Sequence, residues 1–534
     1  MRVSSIGALS GLITLSLSAV GTASFITDCQ NFATGFVNED TVVLSSTYVT
    51  EGTVLTSPDI CTAAVTATAN FCRVKLKVAT SDSSHVITEA WLPRNWKNKG
   101  KRLLMTGNGA WGGCLPYTDM ALTSSLGFAA IGHDAGHSGP WANEFTNPEI
   151  FKDWVYRSLL AATKAGKAAT NHIYGIDELS KSYFMGCSTG GRQALKLAQE
   201  YPDEYDGILA AAPTVNWVNL EFGEAIVALA VGLPGSPTFL TQEQWDAVVA
   251  ATMEQCDGID GVIDGILENP ARCDFRPEAL LCGPGQTWAL NGCLTPVQIE
   301  TVKKIYSPIY GNGGCYVYPA LPLGGFNEQG FPFKYGTFSG GGVQDFLRYV
   351  VYNDSSYDLR SQFNYDTGDY MIDSEFFGAQ TNKTDLSGFQ ASGHKLLMYH
   401  GQADTLVPPT SSYDYYNAVS REMSLQPSAL DQFFRFFPIS SLGHCIGGTG
   451  MNYVGGPSQI QSFPGALDNV PIRNSAIMTL VDWVEKGNAP DTLRGYKLSA
   501  TGEILGQKDH CRYPRKTTYK GHGDPNKRTS WKCV

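Results

Sequence analysis

Short apolar runs recur along the first half of the chain, and each ends at a glycine-rich or polar turn. They cover residues 101–106, 126–132, 182–185 and 205–213. After the third run, Ala194, Leu195 and Ala198 recur at the spacing of one helical face within residues 192–201. Apolar strands that alternate with helices are typical of a parallel sheet covered on both faces. The pattern predicts an α/β fold whose ligands bind beyond the carboxyl ends of the strands.

The third apolar run leads into a candidate nucleophile. Residues 186–190 read Gly-Cys-Ser-Thr-Gly and match the motif G-x-S-x-G. A serine on a sharp turn between strand and helix needs neighbours without Cβ atoms, because a Cβ there would clash. The helix that follows directs its N-terminal N–H groups towards a developing oxyanion. We therefore expect Ser188 to be a nucleophile, and a tight structural turn is the alternative.

Two backbone donors are expected to bind the oxyanion. One is the N–H of Thr189, which directly follows the candidate nucleophile. The other is expected in the glycine-rich loop after the run 101–106, at Gly109 or Ala110, where small residues let the backbone approach a substrate. A flexible loop without this role is the alternative.

The acid and then the base of such a triad follow the serine along the chain in α/β-hydrolases. The strand-like run 395–400 is followed by Asp404, which lies just past a strand end. There it could orient an imidazole and stabilise its charged form, although a solvated loop aspartate would look the same. His137 and His400 also lie in strand-end segments and could line the pocket, but such residues are more often structural.

His444 is the candidate base among the nine histidines, because a cysteine adjoins it. Cys445 follows His444, just as Cys187 precedes Ser188. A Cys187–Cys445 disulfide would hold the two Cα atoms about 5–6 Å apart. It would thereby bring Ser188 and His444 to hydrogen-bonding distance, which catalysis requires. The alternative is that both cysteines pair elsewhere.

Residues 214–391 separate the two halves of the predicted sheet. This segment is rich in aromatic residues, glycine and cysteine and shows no evident strand–helix alternation. It is predicted to be an inserted lid domain over the active site. Residues 25–213 and 392–534 then form the catalytic domain.

An acidic loop within the predicted lid is a candidate metal site. Residues 256–268 read CDGIDGVIDGILE, in which aspartates alternate with glycines, although the spacing is not that of an EF-hand. Calcium suits these oxygen donors better than zinc, since the loop has no histidine. The expected ligands are the carboxylates of Asp257, Asp260 and Asp264 and the backbone carbonyls of Val262 and Ile266. An acidic turn without metal is the alternative.

Composition and charge exclude several classes of protein. The 534 residues are 43% apolar and 17% charged, which excludes a disordered chain. The net charge of −11 argues against nucleic-acid binding, which relies on a positively charged surface. No stretch beyond the N-terminus is long and apolar enough to span a bilayer, so we expect neither nucleic acid nor a membrane as a partner.

The N-terminus and the cysteines predict a secreted, extracellular protein. Residues 1–24 combine Arg2, a weakly apolar stretch and small residues, which is typical of a signal peptide, with a membrane anchor as the alternative. Sequons at Asn353 and Asn382 are expected glycosylation sites, and thirteen cysteines suit an oxidising compartment. Proximity in sequence suggests the pairs Cys256–Cys273, Cys282–Cys293 and Cys511–Cys533, although spacing cannot establish connectivity.

The combination of Cys187-Ser188, Asp404 and His444-Cys445 resembles the CS-D-HC motif of the fungal tannase and feruloyl esterase family. The acidic loop from Asp257 to Ile266 resembles the calcium site in that family's lid. The resemblance covers nearly the whole mature chain and implies an α/β-hydrolase fold, a Ser188–Asp404–His444 triad and structural Ca²⁺, with no organic cofactor. It also implies the disulfides Cys29–Cys72 and Cys61–Cys114, and it leaves Cys315 as the unpaired thiol.

Within the family, the chain resembles the feruloyl esterase B type more than the longer tannases. The predicted lid has no Lys-Arg pair of the kind at which some tannases are cleaved. We therefore expect a carboxylic ester hydrolase that forms an acyl-enzyme and takes part in polysaccharide, including xylan, degradation. Its substrate would be a small aromatic ester or a feruloylated sugar of the plant cell wall, and the enzyme would be a monomer or homodimer. Alternatives are a tannase that cleaves galloyl esters, a catalytically silent binding module and a calcium-dependent adhesion protein.

Overall fold

The computed structural model describes residues 24–56, 64–176, 179–325, 342–462 and 465–534. Seventeen strands lie within these ranges, nine of them in one central sheet. In chain order the strands are β1 (Thr41–Val49), β2 (Val54–Leu55), β3 (Val65–Thr66), β4 (Phe71–Ala79), β5 (His85–Pro93), β6 (Arg102–Thr106), β7 (Ala129–His133), β8 (Lys181–Cys187), β9 (Gly207–Ala211), β10 (Ile309–Tyr310), β11 (Tyr316–Tyr318), β12 (Lys395–Gly401), β13 (Phe434–Ile439), β14 (Thr492–Leu498), β15 (Ile504–Cys511), β16 (Thr517–Tyr519) and β17 (Trp531–Cys533).

The central sheet has the strand order β1-β4-β5-β7-β6-β8-β9-β12-β13. All neighbours from β7 to β13 are parallel, whereas β1, β4 and β5 pair antiparallel. The predicted α/β fold class is confirmed, with one difference: the N-terminal strands are antiparallel. The reason is visible in β4, where Val74, Leu76 and Val78 are buried and alternate with more exposed basic residues. Such alternation suits an antiparallel strand with one solvated face.

The parallel strands are apolar and buried along nearly their whole length. Hydrophobic clusters cover both faces of the sheet, as the continuous apolar runs require. Parallel strands all end at the same edge, so the loops after β6, β8 and β12 meet there. This edge brings together the glycine-rich loop, Ser188 and Asp404 from three distant parts of the sequence.

Helices connect the sheet strands. Those before β9 and after β12 are Tyr117–Ser125, Pro148–Lys152, Ser158–Tyr174, Thr189–Glu200, Thr410–Glu422, Pro427–Leu430, Gln459–Ser462, Ala466–Asn469 and Ala476–Lys486, with a π-helical turn at Asp153–Arg157. Helix Thr189–Glu200 buries Ala194, Leu195 and Ala198, the apolar face that the sequence predicted. This helix packs closely on β8 and β9, so the turn before it is held against the sheet edge.

The segment between β9 and β12 is mainly helical. It contains the helices Trp217–Val231, Gln242–Cys256, Trp288–Asn291, Pro296–Ile305, Val343–Asp345, Leu359–Gln362, Tyr365–Asp373 and Ser387–Ala391, a π-helical turn at Phe346–Val351 and the β10–β11 hairpin. Thr241 and Thr295 each form a capping box at the start of a helix, which explains two of these boundaries.

This segment shares one hydrophobic cluster with residues of the loop after β6 and of the helical turns before β8. Trp217, at the start of its first helix, lies with its ring centroid 5.0 Å from that of Trp111 and 5.0 Å from that of Trp154. Phe346 packs on Trp217 at 4.7 Å. The segment therefore rests on the sheet edge through aromatic packing.

Five of the expected disulfides are present: Cys29–Cys72, Cys187–Cys445, Cys256–Cys273, Cys282–Cys293 and Cys511–Cys533. Cys114 is also disulfide-bonded, but its expected partner Cys61 lies outside the described residues. Cys315 is a free, exposed thiol, as the resemblance implied. Disulfides in this number are typical of proteins that fold in an oxidising compartment.

Other expectations concern the ends and the surface of the chain. Residues 1–23 of the predicted signal peptide lie outside the described residues. Both sequon asparagines, Asn353 and Asn382, are exposed. Among the described residues, no helix has the length and apolar character needed to cross a membrane.

Candidate active site

Ser188 lies on a sharp turn between β8 and helix Thr189–Glu200. Its backbone has φ 65° and ψ −121°, a left-handed conformation that is costly for a residue with a side chain. The flanking glycines make the turn possible. A Cβ on Gly186 would come within 2.5 Å of the Gly190 carbonyl carbon, and a Cβ on Gly190 within 2.9 Å of the Asn108 carbonyl oxygen. The turn presents Ser188 at the wall of a large cavity.

Asp404 is fully buried in the turn after β12. Its Oδ1 accepts hydrogen bonds from the N–H groups of Leu406 (3.0 Å) and Val407 (2.9 Å). Its Oδ2 faces Nδ1 of His444 at 2.8 Å and Nε2 of His400 at 3.1 Å. Burial alone would raise the pKa of Asp404, but the charge and hydrogen bonds of the two imidazoles outweigh it and hold the pKa well below its usual range. Asp404 is therefore a carboxylate in a fixed orientation.

His444 contacts Asp404 through one ring nitrogen, and its second ring nitrogen, Nε2, forms no hydrogen bond with a described residue. Because Nδ1 donates to Asp404, the neutral ring keeps Nε2 as an acceptor. Nε2 has almost no accessible surface, and no group in the described ranges, Ser188 included, forms a hydrogen bond with it. His444 lines the same cavity as Ser188, and the Cys187–Cys445 disulfide places the neighbouring Cα atoms 5.9 Å apart. This arrangement leaves Nε2 available to take a proton from a nearby hydroxyl.

The candidate oxyanion loop is fastened to the helix that follows Ser188. The Oγ1 of Thr189 donates to the carbonyl of Ala110 at 2.7 Å. Gln193 accepts from the Asn108 N–H at 3.0 Å and donates to the Asn108 Oδ1 at 2.9 Å. The N–H of Thr189 stands at the helix start, where no intrahelical acceptor exists. Gly109, Ala110 and Thr189 all line the cavity, so their backbones are positioned to face a substrate.

The sequence favours a structural role for His400, and in the structure it contacts the candidate acid directly. It is fully buried, and its Nε2 faces both Asp404 Oδ2 and the Val407 carbonyl, the latter at 2.8 Å. Since both neighbours are acceptors, Nε2 carries the hydrogen, and Nδ1 accepts from the Ser412 hydroxyl at 2.7 Å. His400 thus orients Asp404. The only sequence signal for it was its position at the end of β12, four residues before Asp404.

Sequence reasoning also missed Asn108 and Gln193, which hold the oxyanion loop. Both side chains are polar and buried, and they are hydrogen-bonded to each other although 85 residues separate them in the sequence. Asn108 further donates to the carbonyls of Cys114 (3.1 Å) and His133 (2.7 Å). No local pattern identifies such a pair, because neither partner is a neighbour of the other in the chain.

The cavity has a volume of about 990 Å³ and lies between the sheet edge and the helical segment. Trp111, Trp217 and Leu220 contribute apolar walls, and Glu221 and Glu224 contribute carboxyl groups. Sites for small organic ligands are typically of this size and carry a few polar groups in a mainly apolar lining. The arrangement can therefore hold an aromatic ester beside Ser188 and His444.

The acidic loop lies apart from this cavity, at the end of helix Gln242–Cys256. Its carboxylates accept backbone N–H bonds within the loop, from Gly265 and Ile266 to Asp257, from Val262 to Asp260 and from Ile266 to Asp264. The donor set of three carboxylates and nearby carbonyls, among them those of Val262 and Ile266, suits a hard cation such as Ca²⁺. In the part of the chain that the structure describes, no three His, Cys, Asp or Glu side chains converge as metal ligands. Calcium therefore stays a prediction.

Comparison with known proteins identifies relatives along nearly the whole chain. A family model described as tannase and feruloyl esterase matches residues 72–534. A probable feruloyl esterase B-1 from Aspergillus fumigatus is 40% identical over 523 residues, 96% of both chains. A probable feruloyl esterase B-2 from Aspergillus oryzae is 38% identical over 519 residues, 95% of both chains.

Solved structures show the same fold. The crystal structure of feruloyl esterase B from Aspergillus oryzae superposes with a TM-score of 0.89 at 36% identity, over 96% of this chain and 100% of that one. Tannin acyl hydrolase from Aspergillus niger superposes with a TM-score of 0.73 at 22% identity, over 96% of this chain and 94% of that one. At that identity, the second likeness concerns the fold alone.

Proposed function

The chain belongs to the tannase and feruloyl esterase family, and on this basis we propose that it is a serine carboxylic ester hydrolase acting on feruloyl and other hydroxycinnamoyl esters of plant cell-wall polysaccharides. Relatives named feruloyl esterase B, at 36–40% identity over almost the full length, support this acyl class. A tannase acting on galloyl esters is the alternative within the family. The aromatic walls of the cavity suit either acyl group.

The reaction proceeds through an acyl-enzyme. His444 Nε2 takes the proton of the Ser188 hydroxyl as Oγ attacks the ester carbonyl carbon, and Asp404 stabilises the imidazolium that forms. The N–H groups of Thr189 and of the Gly109–Ala110 loop stabilise the oxyanion. Collapse of the tetrahedral intermediate breaks the ester C–O bond, and His444 returns its proton to the leaving alcohol. Water then attacks the acyl-enzyme by the same route and releases the acid.

One observation carries this proposal. His444 is hydrogen-bonded to a buried carboxylate through Nδ1, its Nε2 has no hydrogen-bond partner in the described chain, and Ser188 lines the same cavity. The Cys187–Cys445 disulfide links the two chain segments that carry these side chains. An imidazole so oriented beside a serine on a strained turn has few structural purposes.

The remaining features complete the proposal. Residues 214–391 act as a lid that shields the acyl-enzyme from bulk water, and residues 25–213 and 392–534 form the catalytic domain. Calcium bound by the acidic loop rigidifies the lid. The protein is secreted after removal of residues 1–24, and the exposed Asn353 and Asn382 carry glycans. The disulfides support an oxidising compartment.

The test is hydrolysis of methyl ferulate, methyl p-coumarate and methyl gallate by the purified protein and by Ser188→Ala. We expect the hydroxycinnamates to be preferred and Ser188→Ala to lower kcat by about 10⁴-fold or more. Ser428→Ala, which alters an exposed serine outside the cavity, serves as the matched control. Activity in Ser188→Ala equal to that of the control would disprove the mechanism, and preference for methyl gallate would assign a tannase.

A further inference from the structure

The cavity contains a carboxyl group that the proposed mechanism does not use. Glu221, on helix Trp217–Val231, is only 4% exposed. Its Oε2 has almost no accessible surface and no hydrogen-bond partner among the described residues. Buried polar groups are almost always hydrogen-bonded, because an unsatisfied one costs free energy on folding. An acid kept in this state suggests that its partner arrives with a ligand.

Glu221 lies on the face of its helix that forms the cavity wall. The residues of this helix that line the cavity are Trp217, Leu220, Glu221, Glu224 and Ala228, which lie three, four, seven and eleven positions along from Trp217 and so share one helical face. This wall extends about 16 Å along the helix axis, and Glu221 stands about 6 Å from its Trp217 end. Trp217 belongs to the aromatic cluster at the sheet edge, and the same cavity reaches Ser188. A ligand bound at Ser188 can therefore extend along a wall in which Glu221 is a polar position.

The surroundings of Glu221 select the kind of partner. Burial, together with the nearby carboxyls of Glu224 and Asp345, raises the pKa of Glu221 well above its usual range. A neutral carboxyl group has one O–H donor and a carbonyl acceptor. It therefore matches a neutral group that can both donate and accept, such as a hydroxyl. A cationic ligand would instead require an ionised carboxylate.

We propose that Glu221 binds the phenolic hydroxyl on the aromatic ring of the acyl group, and so selects hydroxylated aryl esters over unsubstituted ones. This inference rests on the proposed function, since it assumes that the acyl group occupies the cavity. The ring packs against the apolar residues Trp217 and Leu220, and the hydroxyl supplies the hydrogen bond that Glu221 Oε2 does not find among the described residues. Glu221 is a specificity residue here and takes no part in proton transfer at the ester.

The experiment compares two esters that differ in this hydroxyl alone, methyl p-coumarate and methyl cinnamate. The ratio of their kcat/KM values is measured for the wild type, Glu221→Leu and Glu221→Gln. We expect Glu221→Leu to lower the p-coumarate/cinnamate ratio about 3- to 10-fold, the range that one net hydrogen bond provides. Glu221→Gln keeps a donor and an acceptor and should recover most of the ratio. Glu254→Leu, the same substitution at an exposed position on helix Gln242–Cys256, is the control and should keep the wild-type ratio.

Two further readouts separate binding from a structural role. If Glu221 serves the ligand alone, Glu221→Leu removes an unsatisfied buried acid and does not lower the melting temperature. Product inhibition by p-coumarate should weaken by the same factor as the kinetic ratio, whereas inhibition by cinnamate should not follow it.

The outcomes are distinct from those that test the proposed function. An unchanged ratio in a folded Glu221→Leu protein would overturn the assignment of Glu221, and so would a fall in melting temperature with no change in ratio. If the wild type hydrolyses neither ester, the proposed function itself fails.

Discussion

Removing the Cys187–Cys445 disulfide tests the physical basis of the candidate site most directly. Cys187 precedes Ser188 and Cys445 follows His444, and the bridge holds their Cα atoms 5.9 Å apart. Both cysteines are more than nine-tenths buried, so replacing both by alanine introduces no new polar group. The double variant Cys187→Ala/Cys445→Ala should therefore loosen the spacing between Ser188 and His444 while keeping most of the fold.

The size of the effect follows from the structure. A shift of about 1 Å between reacting groups can cost roughly 10²-fold in rate, and we expect a fall in kcat of that order. The bridge also closes a loop of 258 residues. In the chain-entropy description, removing a disulfide that closes such a loop lowers the free energy of unfolding by about 5.5 kcal/mol. This is an upper value, because disulfides that close long loops usually stabilise the protein by less than this description gives.

The assay must separate slow enzyme from unfolded enzyme. Initial rates on methyl ferulate are measured well below the melting temperature of each variant. An active-site titration with a chromogenic ester counts the molecules whose serine reacts. Cys282→Ala/Cys293→Ala is the matched control. The Cys282–Cys293 disulfide closes a loop of 11 residues, and neither cysteine lines the cavity. The control variant should lose at most about 3 kcal/mol of stability and keep its kcat.

Wild-type kcat per titrated site in the Cys187/Cys445 double variant would refute the reasoning. It would show that packing around Asp404 and the two loops positions the imidazole without the bridge. The choice of His444 as base would then rest on its contact with Asp404 alone.

Three other predictions follow from the same structure. His400→Phe removes one imidazole donor from Asp404 and should lower kcat about 10- to 150-fold with little change in KM, since a hydrogen bond to a charged group is worth roughly 1.5–3 kcal/mol. An unchanged kcat would contradict its role in orienting Asp404. Chelation with EGTA should lower the melting temperature more than it alters kcat at 25 °C, with recovery on adding Ca²⁺, and no thermal shift would refute calcium at residues 257–266. Burial raises the pKa of Asp119 to about 6, so the folded state binds its proton more tightly than the unfolded state, and stability falls as pH rises from about 4 to about 6. Asp119→Asn keeps an oxygen that accepts the Ser458 N–H. The substitution should raise the free energy of unfolding at pH 8 by up to roughly 3 kcal/mol and leave it unchanged at pH 4. Equal gains at both pH values would contradict the assignment of this pH dependence to Asp119.

Local sequence determined the order of the elements and the position of the chemistry within them. β8, β9 and β12 are buried parallel strands, and this requires continuous apolar runs that are visible in the sequence. Ser188 stands out because its strained turn needs glycines at fixed positions, and Asp404 because it follows a strand end. His444 was identified through Cys445, since the geometry of a disulfide relates two distant segments. The fold class and the family are confirmed, whereas the roles of the triad residues and the calcium site stay predictions.

The tertiary structure alone decided which side chains surround these groups. His400 contacts Asp404, Asn108 pairs with Gln193, and Glu221 Oε2 has no partner among the described residues in a cavity shared with Ser188. The antiparallel start of the sheet also emerged only from the paired strands. The physical reason is the range of the interactions. Backbone turns and apolar periodicity depend on residues a few positions apart, whereas the satisfaction of a buried polar group depends on partners that folding brings from anywhere in the chain.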